Sequence, residues 1–511
     1  MLSKVYSGAV YGVNAYTVEI EVNAGRGEAQ FVIVGLPDAA IRESKDRVWT
    51  AMNNSGFRPT FGRTTINLAP ADIRKEGPAY DLPIAMGLLS ATGAVEMPSL
   101  DEYAFIGELA LSGEVRRVRG ALPVALEMRR RGKRGILVPL DNAEEAAIAE
   151  GIDVYPVRHL REAVDFITGK FPILPMRLNL SELIQRERRH VEDFADVKGQ
   201  ETAKRAIEVA VCGGHNILMI GSPGAGKTMI ARRIASILPE MNLEEALEAT
   251  RIHSIAGALK SHQALVFHRP FRAPHHTISD AGLLGGGGHP VPGEVSLAHH
   301  GVLFLDEFPE FHRNALEVLR QPLEDGHVTI SRAQASLEFP SRFMLVAAMN
   351  PCPCGFAGDP KRECRCSSTK IQAYRNRVSG PLLDRIDIHI EVPPVGYQDL
   401  SNLERGTPSS VIRQRVEACR ARQRQRFAKH SKATCNATMT AKDVEDYCKL
   451  SADAADLIKM GMTEFHFSAR AYTRIVKVAR TIADMADAGE IASEHISEAI
   501  QYRSLDRTIW A

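Results

Sequence analysis

No apolar run in this sequence approaches the roughly 18 residues that a membrane-crossing helix needs. The start, Met1 to Tyr6, lacks a secretory apolar core, so a cytoplasmic protein with no membrane partner is expected. An excess of charge of one sign is missing too. With 63 basic residues against 62 acidic ones the net charge is +1, so any surface for nucleic acid must be local. Cysteine is scarce, at 8 residues, yet four of them fall between Cys352 and Cys366, which in a reducing compartment points to metal rather than disulfides.

What is present fills more than one core. The 511 residues are 44% hydrophobic and 24% charged, the make-up of ordinary globular domains, two or three of them. They organise around one stretch: Gly221, Ser222, Pro223, Gly224, Ala225, Gly226, Lys227 and Thr228 in succession. An apolar run, Ile217 to Ile220, precedes it and a helix-like segment, Met229 to Leu238, follows, which is the strand-to-helix setting of a phosphate-binding P-loop. Glycines there let backbone N–H groups converge on phosphate oxygens, and the helix start adds positive potential. Lys227 reaches the outer phosphates and Thr228 holds Mg²⁺, so ATP with Mg²⁺ is the expected cofactor pair.

Gly301 opens a second apolar run, Val302 to Leu305, that ends on Asp306 and Glu307. It reads as a buried parallel strand with acids at its C-terminal end, where open α/β sheets place ligands. Asp306 is expected to order Mg²⁺ and Glu307 to polarise the attacking water. A third run, Phe343 to Met349, ends on Asn350, which can bond a γ-phosphate or the water. Between Lys227 and Asp306 lie more residues than two strand–helix units of about 30 each need, so an insertion is expected. Within it, Arg269 to Thr277 and Gly285 to Glu294 read as irregular, mobile loop. Asp325 and Gly326, followed by His327 to Arg332 and Ala335 to Phe339, read as a β-hairpin. Arg332 near its bend either touches nucleic-acid phosphate or belongs to a hairpin that packs on the sheet.

These signals, in this order, resemble AAA+ ATPases. The resemblance implies that Asn350 is a first sensor and that Val197 to Gln200 lies near the adenine. It also implies that Arg385, in the run Gly380 to Asp387, enters a neighbouring subunit's site, and that Arg470 is a second sensor. On the residues alone, Arg385 is also an ion-pair partner for Asp384 or Asp387, and Arg474 lies one turn beyond Arg470. Cys352, Cys354, Cys364 and Cys366 form two Cys-X-Cys pairs that either close tetrahedrally on Zn²⁺ or stand as free or redox-linked thiols. Cys212, Cys419, Cys435 and Cys448 show no grouping and read as packing residues.

The first 170 or so residues alternate strand-like and helix-like runs, which makes that domain α/β. The stretch Glu76 to Ala85, followed by Gly107 to Val115, resembles the proteolytic domain of Lon proteases, a ribosomal S5 domain 2-like fold. The serine–lysine dyad of that pattern is missing. Ala79 stands at the serine position and no lysine occurs between Lys75 and Lys133, so no peptidase activity is expected. Two basic stretches, Arg116 to Arg134 and Val411 to Lys429, are each either phosphate-contacting faces or solvated helix surfaces.

With the run Gly293 to Gly301 added, nearly the whole chain resembles the magnesium-chelatase-like AAA+ proteins, most closely the ComM/YifB group. The expected layout is a Lon-like α/β domain over 1–170, a linker over 171–193, a P-loop AAA+ core over 194–395 and a helical lid over 396–511. The resemblance implies a ring, a hexamer, that acts on single-stranded or branched DNA as a branch-migration helicase in recombination or natural transformation. Two other readings stand beside it. One is a chelatase-like motor acting on protein or metal-insertion partners, against which speak a missing Asp-X-Ser-X-Ser motif and a Lon-like domain foreign to that motor subunit. The other is a non-motor scaffold or protease regulator.

Overall fold

The computed structural model describes residues 2–25, 27–28, 30–59, 62–179, 192–260, 263–287, 290–332, 335–359, 362–396, 406–428, 431–465 and 467–505, with Arg332, Ala335 and Phe465 as backbone alone. The chain divides into two units, one of Met1–Glu187, Leu243–Phe267 and Ser331–Phe339, the other of Arg188–Asn242, His268–Ile330 and Pro340–Ala511.

The first unit is built on a seven-stranded mixed sheet in the order Gln30–Val34, Arg63–Ala69, Asn14–Ala24, Leu2–Tyr11, Tyr103–Phe105, Gly135–Pro139, Asp153–Val157. Asn14–Ala24 pairs antiparallel with both its neighbours, and the other pairings are parallel. Its residues Val18, Ile20 and Val22 are buried at every second position, the period of a strand with one covered face. The helices Asp81–Ala91 and Ala121–Arg130 supply the cover. Gly135–Pro139 is buried at all five positions, as a parallel strand enclosed on both faces must be.

Buried polar groups pin this unit together. The Asp81 carboxylate accepts from Arg47 Nε at 2.9 Å, from the Ser44 hydroxyl and from the Leu109 N–H at 3.2 Å. Around the position where a serine would stand, Ala79 C=O accepts from the Gly107 N–H at 2.9 Å, and the buried Lys75 ammonium donates to Ile73 C=O at 2.7 Å. The helix Leu243–Ala256, which follows the P-loop helix in sequence, also belongs here: Ser254 bonds the buried Glu145, and Arg117 reaches Leu259 C=O at 3.0 Å. Several cations of the basic stretch Arg116 to Arg134 have partners within the unit, while the side chains of Arg130, Arg131 and Arg134 stay more than half exposed. Arg130 and Arg131 pair with Glu127 at 2.8 and 3.2 Å, Arg134 with Glu102 at 3.1 Å, and Lys133 donates to Asp101 C=O at 2.6 Å.

The second unit carries a five-stranded, wholly parallel sheet in the order Phe271–Arg272, Val302–Leu305, Met344–Met349, Ile217–Ile220, Ile388–Glu391. The three apolar runs read from the sequence are its central strands, buried at every position. Phe271–Arg272 corrects the expectation of a loop: it pairs with Val302 and Leu303 as the sheet's edge, and Arg272 clamps Glu294 through two contacts of 2.6 Å. Two residues are too few to show a strand period. The hairpin forms from His327–Arg332 and Ala335–Pro340 as a separate two-stranded sheet. The Arg332 side chain, Lys429 and the charged run Arg186 to His190 lie outside the described residues.

Residues 406–505 are helical for the most part and share one core with the P-loop sheet: Ile412, Val416, Cys419 and Phe427 join Ile207, Val211 and Ile234. The helix Ser409–Phe427 is the second basic stretch, and most of its arginines contact neighbouring elements, while Arg424 is exposed. Arg413 reaches Ser236 C=O at 3.1 Å, Arg420 reaches Val211 C=O at 3.0 Å, and Gln423 reaches Cys212 C=O at 2.9 Å. Those carbonyls end the helices Lys227–Ile237 and Glu201–Gly213, where the last turn has no partners of its own. Arg415 pairs with Glu208 at 2.9 Å and Arg426 with the buried Asp484. Cys212, Cys419, Cys435 and Cys448 are all buried, as packing thiols should be. Among the described residues, no helix is long and apolar enough to cross a membrane.

Candidate functional site

The C-terminal ends of the three central strands meet at one edge, and that register brings the sequence-read groups together. Gly226, at φ 87°, takes a left-handed turn that a side chain would resist, and it starts the helix Lys227–Ile237. Lys227 is buried and donates to Gly221 C=O at 2.7 Å, Ser222 C=O at 3.0 Å and Asn350 Oδ1 at 3.2 Å. Burial lowers its pKa, and Asp306 works the other way. Thr228 Oγ1 donates to Asp306 Oδ2 at 2.6 Å, while Asp306 Oδ1 accepts from the Glu307 N–H at 2.9 Å. Gln200 Nε2 bonds Ala225 C=O at 2.7 Å and Pro393 C=O at 2.9 Å, so it ties the loop to the end of the neighbouring strand.

The four-cysteine segment leaves from the same edge. Cys352, Cys354, Cys364 and Cys366 place their sulfurs within 4.8 Å of one another, with Cys352 buried and the other three partly so. The Ala357 N–H points at Cys352 Sγ at 3.3 Å. Backbone N–H groups of Phe356 and Arg365 pull the Cys354 thiol down to about 6, whereas Cys364, despite the Cys366 N–H, is pushed up to about 11 by desolvation and the neighbouring thiols, and Cys366 is raised too. Inside this segment a Cβ on Gly355 would lie 2.5 Å from Pro223 Cδ, so the segment presses on the P-loop itself. The following helix, Ser368–Arg375, brings Tyr374 back onto the Asn350 backbone N–H, and burial pushes that phenol up to about 12.

The arginines are disposed less simply. Arg385 pairs with neither Asp384 nor Asp387. It contacts Glu324, donates to Pro381 C=O at 2.6 Å, and leaves only 11% of its side chain exposed. Asp387 is taken instead by Arg474 and by His215 Nδ1 at 3.0 Å, both outside the candidate site. Burial alone would raise the Asp387 carboxyl, but Arg474 and His215 outweigh it and hold it well below the usual carboxylate range. Arg470 is exposed, with Asp384 3.9 Å away.

One side chain at the centre escaped the sequence reading. His276 Nδ1 lies 3.0 Å from Glu307 Oε2. It follows the edge strand by four residues, in a stretch that reads as loop, and the pair His275–His276 is matched by His299–His300, so it gives little signal.

Comparison with known proteins decides the family. The description of magnesium chelatase subunit ChlI matches residues 193–400, that of its C-terminal part matches 406–503, and a further ChlI-subunit description matches 20–142. YifB of Escherichia coli K12 is 42% identical over 511 residues, covering 99% of this chain and 98% of its own. The competence protein ComM of Haemophilus influenzae is 42% identical over 516 residues, with the same coverage. The chain belongs to the magnesium-chelatase-like family of ComM and YifB. Lon protease 2 of Bacillus subtilis is 31% identical over 173 residues, 32% of this chain and 30% of its own. The chelatase name thus reaches into the N-terminal part, which the sequence reading had held foreign to a chelatase motor subunit. Family membership accounts for the co-occurrence of the P-loop, the Asp306–Glu307 pair and the polar end of the third strand in one mixed α/β chain of AAA+-like type.

Proposed function

We propose that this chain is a cytoplasmic ATP hydrolase that works as a ring, a hexamer, binds single-stranded or branched DNA and drives branch migration. The observation that carries the ATPase part is the convergence of Lys227 on Asn350 and of Thr228 on Asp306 at the end of a parallel sheet. The P-loop from Gly221 to Thr228 cradles the phosphates. Thr228 and Asp306 offer hard oxygens 2.6 Å apart, the donor type that Mg²⁺ takes. Mg²⁺ neutralises phosphate charge when bound. Water oxygen forms a bond to the γ-phosphorus, the bond to the β,γ-bridging oxygen breaks with its electron pair going to ADP, and Glu307 takes the water's proton. Asn350 orients the γ-phosphate, and Arg385 of a neighbouring copy and Arg470 stabilise charge in the transition state. The four thiols suit Zn²⁺, which would fasten the segment 352–366 beside the P-loop.

The DNA part draws support from the name of the Haemophilus relative, a competence protein, and from the hairpin carrying Arg332. A second reading, a motor on protein partners or a protease regulator, is favoured by one observation: several cations of the two basic stretches already have internal partners, Arg130, Arg134, Arg413 and Arg415 among them. The deciding experiment is ATP hydrolysis with and without single-stranded and branched DNA at stated salt, for wild type, Glu307→Gln and Arg332→Ala. DNA stimulation that needs Glu307 and weakens without Arg332 supports the DNA motor. Basal turnover with no stimulation at any salt overturns it in favour of protein partners.

A further inference from the structure

Glu307 starts from an awkward backbone. Its φ of 51° lies in the left-handed region, and 55% of its side chain is exposed, so nothing in its own strand fixes where the carboxylate points. The contact that does reach it comes from the segment after the edge strand, through His276 Nδ1 at 3.0 Å from Oε2. His276 is itself well supported. Its ring lies 4.1 Å from that of His275, centroid to centroid, and meets the buried Phe311 ring edge-on at 6.4 Å. His275 Nδ1 is 2.9 Å from Thr277 Oγ1. Upstream, the backbone is anchored by the strand pairing of Phe271–Arg272 and by the Arg272–Glu294 clamp.

We infer that His276 is a positioning residue that holds the Glu307 carboxylate in line for its water; the inference rests on the ATPase reading above. A proton acceptor must stand within hydrogen-bond reach of a water that is itself in line with the breaking bond, and an error of about 1 Å costs on the order of 100-fold. An exposed glutamate with free side-chain torsions loses that alignment. An imidazole seated against Phe311 and within reach of Oε2 restores it.

The test uses the full-length protein with His276→Ala, His276→Asn, Glu307→Gln and the double variant His276→Ala/Glu307→Gln. ATP turnover, KM, affinity for a fluorescent ATP analogue and melting temperature are measured for each. His276→Ala is expected to lower kcat by roughly 10- to 100-fold, with KM and nucleotide affinity within about twofold of wild type. Asparagine can offer an amide N–H near the place of Nδ1, so His276→Asn should recover most of that loss. Adding His276→Ala to Glu307→Gln should cost nothing further, because the group it positions is gone. The inference is overturned if kcat of His276→Ala stays within twofold of wild type while Glu307→Gln is dead, or if alanine and asparagine lower kcat equally with the fold intact. A loss in KM rather than kcat also overturns it. Failure of the underlying reading looks different: Glu307→Gln would turn ATP over at the wild-type rate.

Discussion

Replacing Arg474 by methionine tests whether the sheet and the helix Ala469–Met485 are joined by a buried charge. Asp387 is almost wholly buried, at 4% side-chain exposure, and His215 is fully so, whereas Arg474 keeps 26% of its side chain in contact with solvent. Removing Arg474 strands the buried carboxylate with only His215, the situation that costs about 3–5 kcal/mol. The converse change, Asp387→Asn, leaves the better-solvated partner behind and should cost less, about 1–3 kcal/mol. The ordering matters more than either figure. Urea unfolding followed by far-ultraviolet circular dichroism at pH 7.5 reads both, with the arginine variant expected to show the lower midpoint. A pH series adds a second check. The folded pKa of His215 is lowered, mainly by burial, so its contribution is fully present above the unfolded value of about 6.5 and is lost as pH falls below it, by at most about 1.4 kcal/mol per pH unit. Asp387, whose folded pKa is depressed, contributes above about 3.9 and loses that contribution as pH falls toward its folded value. Arg474→Met should remove the Asp387 part. A cost below about 1 kcal/mol for Arg474→Met, or a smaller one than for Asp387→Asn, would refute the idea that this network holds the interface.

Other outcomes follow from the site. Lys227→Ala should weaken binding of a fluorescent ATP analogue by at least about tenfold, while Glu307→Gln should bind it normally and lose turnover by roughly 100-fold or more. Arg385→Ala should lower kcat by roughly 1,000-fold with binding retained, and mixing it with inactive Glu307→Gln chains should restore part of the rate if sites are shared between copies. Metal analysis of purified protein should give one Zn²⁺ per chain, and Cys364→Ser should abolish it. Because Gly355 presses on Pro223, stripping that metal with a chelator should also weaken nucleotide binding.

Much of the centre was legible because its chemistry needs fixed residues at fixed spacing. Glycines before Lys227, and acids or an amide ending an apolar run, can be seen without a structure. His276 could not be seen this way, since its strand is two residues long and its partner lies 31 positions on. The basic stretches were misleading for a different reason. A sequence shows that Arg413 and Arg420 are cations, but not that helix-end carbonyls already occupy them. Asp387 makes the same point: its partners come from 172 positions before and 87 after, while Arg385, two positions away, turns to Glu324.

The helix Ser409–Phe427 is bolted down along its length, at Ser236, Glu208, Val211, Cys212 and Asp484. A part fastened that often moves with what it is fastened to. Any swing of this helix would have to drag Glu201–Gly213 and Lys227–Ile237 with it, and the second of these begins at Lys227, the lysine proposed to meet phosphate. The P-loop and its helical cover therefore form one stiff cog. If the proposed ATPase drives motion, this cog passes it on by turning as a whole and not by bending within itself.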